Sequence, residues 1–236
     1  MVYMKKISLF ALLVLIVFVN NSCSVSDRFT YVAPEYKNLN QSGVQILIMP
    51  FISSLLENDQ LAEFINRKNA SKQMLTSKEI ELIDNYIPVL LSENTFAKIV
   101  KANKESIKSP LKFEYKSPGN EFDSTQLVYI PDVRGFSYEE NIPNYLFFVE
   151  DAYFNKSGDE KGVTMGRGSE SFFVMVAGIE YLLWDNLKGR VAAFGKLQAK
   201  QKLLSLPNKE SYLAILETFV VDLLSQSPLA QKKVYF

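Results

Sequence analysis

The 236-residue chain contains no histidine and only one cysteine, Cys23. Without histidine there is no Ser–His or Cys–His nucleophile pair, and a principal transition-metal ligand is missing. A lone cysteine has no intramolecular disulfide partner, so the fold must be held by packing. Excess charge of either sign is also absent, since 26 Lys and Arg balance 26 Asp and Glu. Such a chain lacks the basic footprint of a nucleic-acid binder. No internal repeat is visible. Apolar residues are plentiful, 47% of the total with 17 Phe and 12 Tyr, enough for a sizeable core.

The N-terminus carries a pattern of its own. Lys5 and Lys6 precede an apolar run from Ile7 to Val19, broken only by Ser8, and Asn20, Asn21 and Ser22 then turn polar and end on a small residue. These are the three parts of an export signal. The run is shorter than the about 20 residues that a spanning helix needs. Cys23 stands where the signal would be cut, a placement that resembles the lipobox of bacterial lipoproteins. Asn20 occupies the position where that family prefers leucine. The resemblance implies that residues 1–22 are a signal peptide and that Cys23 is the lipidation site and first mature residue. It also implies a membrane partnership through that anchor, and Ser24 in the next position implies sorting to the outer membrane. Anchoring by several acyl chains is stable, each buried methylene contributing about 0.8 kcal/mol. The alternative is ordinary secretion with Cys23 as a free thiol. Loss of Lys5 and Lys6 leaves 24 basic against 26 acidic residues, a mature net charge of 24 − 26 = −2.

Residues 23–42 are polar without sustained periodicity and predict a lipidated tether; residues 43–236 predict a single globular domain. Within it, Val44–Met49 closed by Pro50 reads as a buried strand. Thr76 to Glu79 fits a capping box, followed by Ile80, Ile83, Ile87, Leu90 and Leu91 on one helical face. Pro88 should kink or shorten that helix. Phe96–Val100, Leu111–Tyr115, Leu127–Ile130 and Tyr145–Phe154 predict further strands. Phe172–Trp184 is apolar on both alternating faces, as in a strand covered on both sides. Asp185–Gly189 predicts a hairpin turn and Arg190–Lys202 its return strand. Asn208 caps a last helix with Leu213, Leu216, Phe219, Val220, Leu223 and Leu224 buried. Gln231–Phe236 predicts a tail or short edge strand. The order predicts an α/β or α+β fold, a single mixed β-sheet with helices packed on it.

The stretch Gly43-Val44-Gln45-Ile46-Leu47-Ile48-Met49-Pro50-Phe51 resembles the first strand of periplasmic lipoproteins with a TolB N-terminal-like or CsgG-like domain. Tyr181 to Val191 is similar to their late hairpin. This resemblance implies a subunit of an envelope assembly, with protein partners and no shared catalytic residues. The long segments 101–125 and 155–170 depart from that family, and no clean pair of membrane-inserting hairpins is present.

No catalytic residue, metal ligand or cofactor is assigned. Gly166-Arg167-Gly168 lacks the preceding strand and following helix of a phosphate loop. Glu139-Glu140 and Glu150-Asp151 are adjacent carboxylates that an extended chain would send to opposite faces, and they predict solvated edges. Glu180 interrupts an apolar strand and needs a partner, which Lys196 or Lys200 could supply. Trp184, the only tryptophan, predicts core packing. Binding residues concentrate in loops, so Phe113, Tyr115 and Arg167 in the two long segments are the candidate partner contacts. Together these features predict a non-enzymatic, lipid-anchored envelope protein, a subunit or interaction module. The alternative is a lipoprotein that holds a small molecule or glycan against exposed aromatics.

Overall fold

A computed structural model describes residues 23–37, 39–68, 75–107, 111–119, 126–161, 171–203, 206–229 and 231–232. The predicted signal peptide and Gly166-Arg167-Gly168 lie outside the described residues. The strands are β1 (Cys23–Val32), β2 (Gln45–Ile48), β3 (Lys98–Lys101), β4 (Phe113–Lys116), β5 (Val128–Pro131), β6 (Tyr145–Lys161), β7 (Ser171–Asp185) and β8 (Arg190–Leu203). Helices are α1 (Ile52–Leu55), α2 (Asn58–Lys68), α3 (Ser77–Asn94) and α4 (Lys209–Ser225). One six-stranded sheet runs in the order β1-β8-β7-β6-β2-β3, and β4 pairs separately with β5. The sheet is mixed: β2 is parallel to both β6 and β3, while the other pairs are antiparallel. The predicted α+β architecture is therefore present, with a second, two-stranded sheet added.

Strand lengths make the sheet lopsided. All six strands share the end where β2, β3 and β6 begin and β7 turns into β8. Among the described residues only β6, β7, β8 and β1 continue to the other end, where Lys161 pairs with Ser171 and Cys23 with Gln201. A bulge between Val149 and Asp151 flips the pleat of β6. As a result Phe147, Val149, Ala152, Phe154 and Lys156 share one face, against which α4 packs, as the edge-on contact of Phe154 with Tyr212 shows. Phe148 faces the opposite way and meets Phe113 of β4. The small sheet thus covers the second face, with α2 upon it through Phe64 and Tyr129. Val44–Met49 and Phe172–Leu183 are interior strands, as their apolar runs predict.

Four expectations need correction. Residues 23–32 are not a tether: they form the edge strand β1, because β8 offers a full ladder of partners, and Tyr36 just beyond is buried. Pro88 does not shorten α3, which runs from Ser77 to Asn94 because Ile83, Ile87 and Leu91 bury one stripe along its length. Residues 155–161 are strand and not loop, held by pairing with β7 although their composition is polar. Glu150 is buried, since it sits in the bulge and its Oε1 accepts the Tyr129 N–H at 2.8 Å, tying β6 to β5.

Candidate functional site

Two helix starts meet beside β6. Thr76 caps α3 through a capping box with Glu79, and Asn208 caps α4 through one with Ser211. The helices lie side by side and run in the same direction. At their starts the Tyr212 hydroxyl reaches Glu79 Oε1 at 3.3 Å, and past their ends the Lys232 N–H donates to the Asn94 carbonyl at 2.8 Å. Between the starts lies a cleft of about 510 Å³, lined notably by Lys78, Glu79, Glu81, Tyr86, Lys156, Lys209 and Tyr212. That volume falls within the range of small-ligand sites.

Glu79 forms the floor. Its side chain is 10% exposed, and Oε2 accepts from the Thr76 N–H at 2.8 Å and the Thr76 hydroxyl at 2.9 Å. Lys156 Nζ lies 3.6 Å from Oε1, so this carboxylate is fully engaged within the protein. Two ammonium groups sit over tyrosine rings: Lys156 5.3 Å from the Tyr212 centroid and Lys209 5.2 Å from that of Tyr86. The Tyr212 hydroxyl is the main cause that raises the Lys156 pKa above its ordinary value, and Glu79 adds to it against burial. Contact with Tyr86 raises that of Lys209. Both lysines therefore stay cationic at neutral pH. The arrangement offers positive charge on aromatic platforms and keeps the Glu79 carboxylate occupied.

A second polar cluster lies at the opposite end of the sheet and is structural. The Tyr36 hydroxyl donates to Asp185 Oδ2 at 2.6 Å, and the Lys188 N–H to Asp185 Oδ1 at 2.8 Å. Arg190 pairs with Glu35 and lies over the Tyr36 ring. Burial and Asp185 push the Tyr36 pKa far up, and burial pushes that of Tyr145 up to about 12. Gly189, at φ 69°, makes the β7–β8 turn as predicted.

The residues singled out in the sequence are scattered. Glu180 pairs with Lys196 at 3.3 Å, the cross-strand partner that the hairpin register supplies. Trp184 is buried and its Nε1 donates to the Val133 carbonyl at 3.0 Å. Glu139 and Glu140 are exposed in a turn, both with positive φ. Phe113 is no surface anchor: it is buried against Phe148, and Tyr115 packs on Tyr129. Arg167 lies outside the described residues. None of the described ones joins the cleft. The sequence signals both helix caps, but not that the two caps face one another across Lys156.

No family model and no curated protein matches the chain. Among solved structures it is similar to the PelC dodecamer from Paraburkholderia phytofirmans, at TM-score 0.42 and 9% identity, over 90% of this chain and 100% of that one. A point variant of that dodecamer aligns at TM-score 0.41 and 10% identity, over 87% and 99% of the two chains.

Proposed function

We propose that the chain is a lipid-anchored cell-envelope protein that acts by binding, as a subunit or interaction module of an envelope assembly. The observation that carries this reading is Cys23, the sole cysteine, placed directly after a charged, apolar and then polar export pattern. In the fold Cys23 lies in β1, in register with Gln201 of β8. A lipid at Cys23 would hold the sheet close to the membrane with no intervening linker. Ser24 supports sorting to the outer membrane. At the end of the sheet remote from Cys23, Phe96, Ile142 and Leu187 are 54%, 55% and 48% exposed. These side chains are the places on that rim where a protein partner could bury apolar surface.

Replacing Cys23 with alanine tests the reading: the protein should leave the membrane fraction or accumulate as unprocessed precursor. A Cys23→Ala chain that is processed and fractionates like the wild type sinks the anchor. Photo-crosslinkers at Phe96 and Leu187 in intact cells should capture envelope proteins, and capture of none removes the partner from that rim. A second reading, binding of a small molecule or glycan, is favoured by the cleft with Tyr86 and Tyr212.

A further inference from the structure

Lys156 of β6, Met175 of β7, Gln201 of β8 and Cys23 of β1 form one row across the sheet. Neighbouring strands lie about 4.8 Å apart, so three steps put the Lys156 backbone about 15 Å from that of Cys23. The cleft therefore stands level with the residue assigned as anchor, at the end of the sheet that an anchored chain turns to the bilayer. We propose that this cleft takes the phosphate-bearing headgroup of an anionic membrane lipid, with Lys156 and Lys209 pairing with the phosphate and Tyr86 and Tyr212 flanking the headgroup.

The choice of ligand follows from charge and reach. Glu79 is satisfied by Thr76, Tyr212 and Lys156, so it has little capacity left for a cationic ligand. Lys209 lies over the Tyr86 ring on the exposed side, and Lys156, over the Tyr212 ring, also pairs with Glu79 at 3.6 Å; an ammonium carries three protons, so both can still donate to phosphate oxygens. The side chains carry the site; each helix start is already closed by its own capping box. The predicted mature chain has a net charge of −2 from 24 basic and 26 acidic residues. An anionic surface would repel such a chain on average, so a cleft that sets Lys78, Lys156 and Lys209 against Glu79 and Glu81, level with Cys23, gives the surface one orientation to favour. The lipid as source rests on the anchor reading above; the phosphate chemistry of the cleft does not.

The test uses the full chain as cells make it, purified in a neutral detergent, with an intact mass recorded first. Calorimetric titration then compares short-chain phosphatidylglycerol, phosphatidylcholine of equal chain length and inorganic phosphate. Phosphatidylglycerol should bind at least tenfold more tightly than either. The Lys156→Gln/Lys209→Gln double variant should lose at least tenfold, and Lys209→Glu, at an exposed site, should lose as much with an unchanged circular dichroism spectrum. Equal affinity for the two lipids, or wild-type affinity in Lys209→Glu, overturns the proposal. Equal affinity for inorganic phosphate assigns the cleft to a soluble anion and overturns the headgroup. An unmodified Cys23 in the mass record overturns the anchor alone, which keeps the two failures apart.

Discussion

Where β7 turns into β8, the buried Asn186 side chain donates to the carbonyls of Phe136 and Pro143 at 2.9 and 2.8 Å and accepts the Phe136 N–H at 2.8 Å. Asp185 beside it holds Tyr36. Polar groups here are spent on one another, and six strands end together. The Cys23 end has four strands, two capped helix starts and a cleft in which Lys156, paired with Glu79, and Lys209 lie over tyrosine rings. The difference separates polar groups that fix a fold from polar groups held ready for something outside it. In the first set the Asn186 and Asp185 side chains are paired in the interior; in the second the floor is paired and the rim is not enclosed.

The contrast can be broken most strongly at Asn186. Leucine there leaves the Phe136 N–H and the carbonyls of Phe136 and Pro143 unpaired, each costing about 1–3 kcal/mol. Asn186→Leu should therefore destabilise by about 3 kcal/mol or more, read as a lower urea midpoint, with headgroup binding per folded molecule unchanged. A loss below about 1 kcal/mol would show that the loop 132–143 finds other partners.

Gly178 probes the longer end from the face away from α4. A Cβ there would lie 2.3 Å from the Tyr153 ring, which spans β7 so that its hydroxyl accepts from Gln198 Nε2 at 2.6 Å. Gly178→Ala must push the ring off, costing about 1–3 kcal/mol by overpacking. It should leave the cleft intact, because Lys156 lies on the other face. Smaller again is Tyr36→Phe, which removes one buried hydrogen bond from Asp185 for about 1–2 kcal/mol of stability by chemical denaturation. The smallest effect is at Asp84, between the ends on α3. Burial raises its pKa, opposed by Lys101 at 3.9 Å. A raised folded pKa means that the folded state binds more protons, so this group's contribution falls as pH rises from the unfolded pKa through the folded one. At neutral pH it is unfavourable, and Asp84→Asn should raise Tm slightly, by less than about 0.5 kcal/mol equivalent since the site is partly screened.

Much of the fold was legible because burial and capping leave local marks. The buried stripe of α4 with Asn208 before it places the helix at 209–225, and the apolar run at 44–49 places β2. Elements whose support comes from a distant neighbour were not legible. Residues Ser24 to Arg28 and Asn155 to Lys161 are polar, and only the ladder with β8 or β7 makes them strand. Glu150 looks solvated until the bulge turns it toward Tyr129. The cleft was invisible for the same reason: Thr76 and Asn208 signal two caps, while their meeting at Lys156 depends on the parallel packing of α3 and α4.

The central claim is that the Cys23 end faces the membrane and the Asn186 end faces away. Amide hydrogen exchange of the protein on vesicles containing anionic lipid, compared with the protein in neutral detergent, tests it directly. The account predicts slowed exchange at 154–156, 200–202 and 207–212, and no change at 95–97, 141–144 and 186–190. Protection of the second set with none in the first would contradict it.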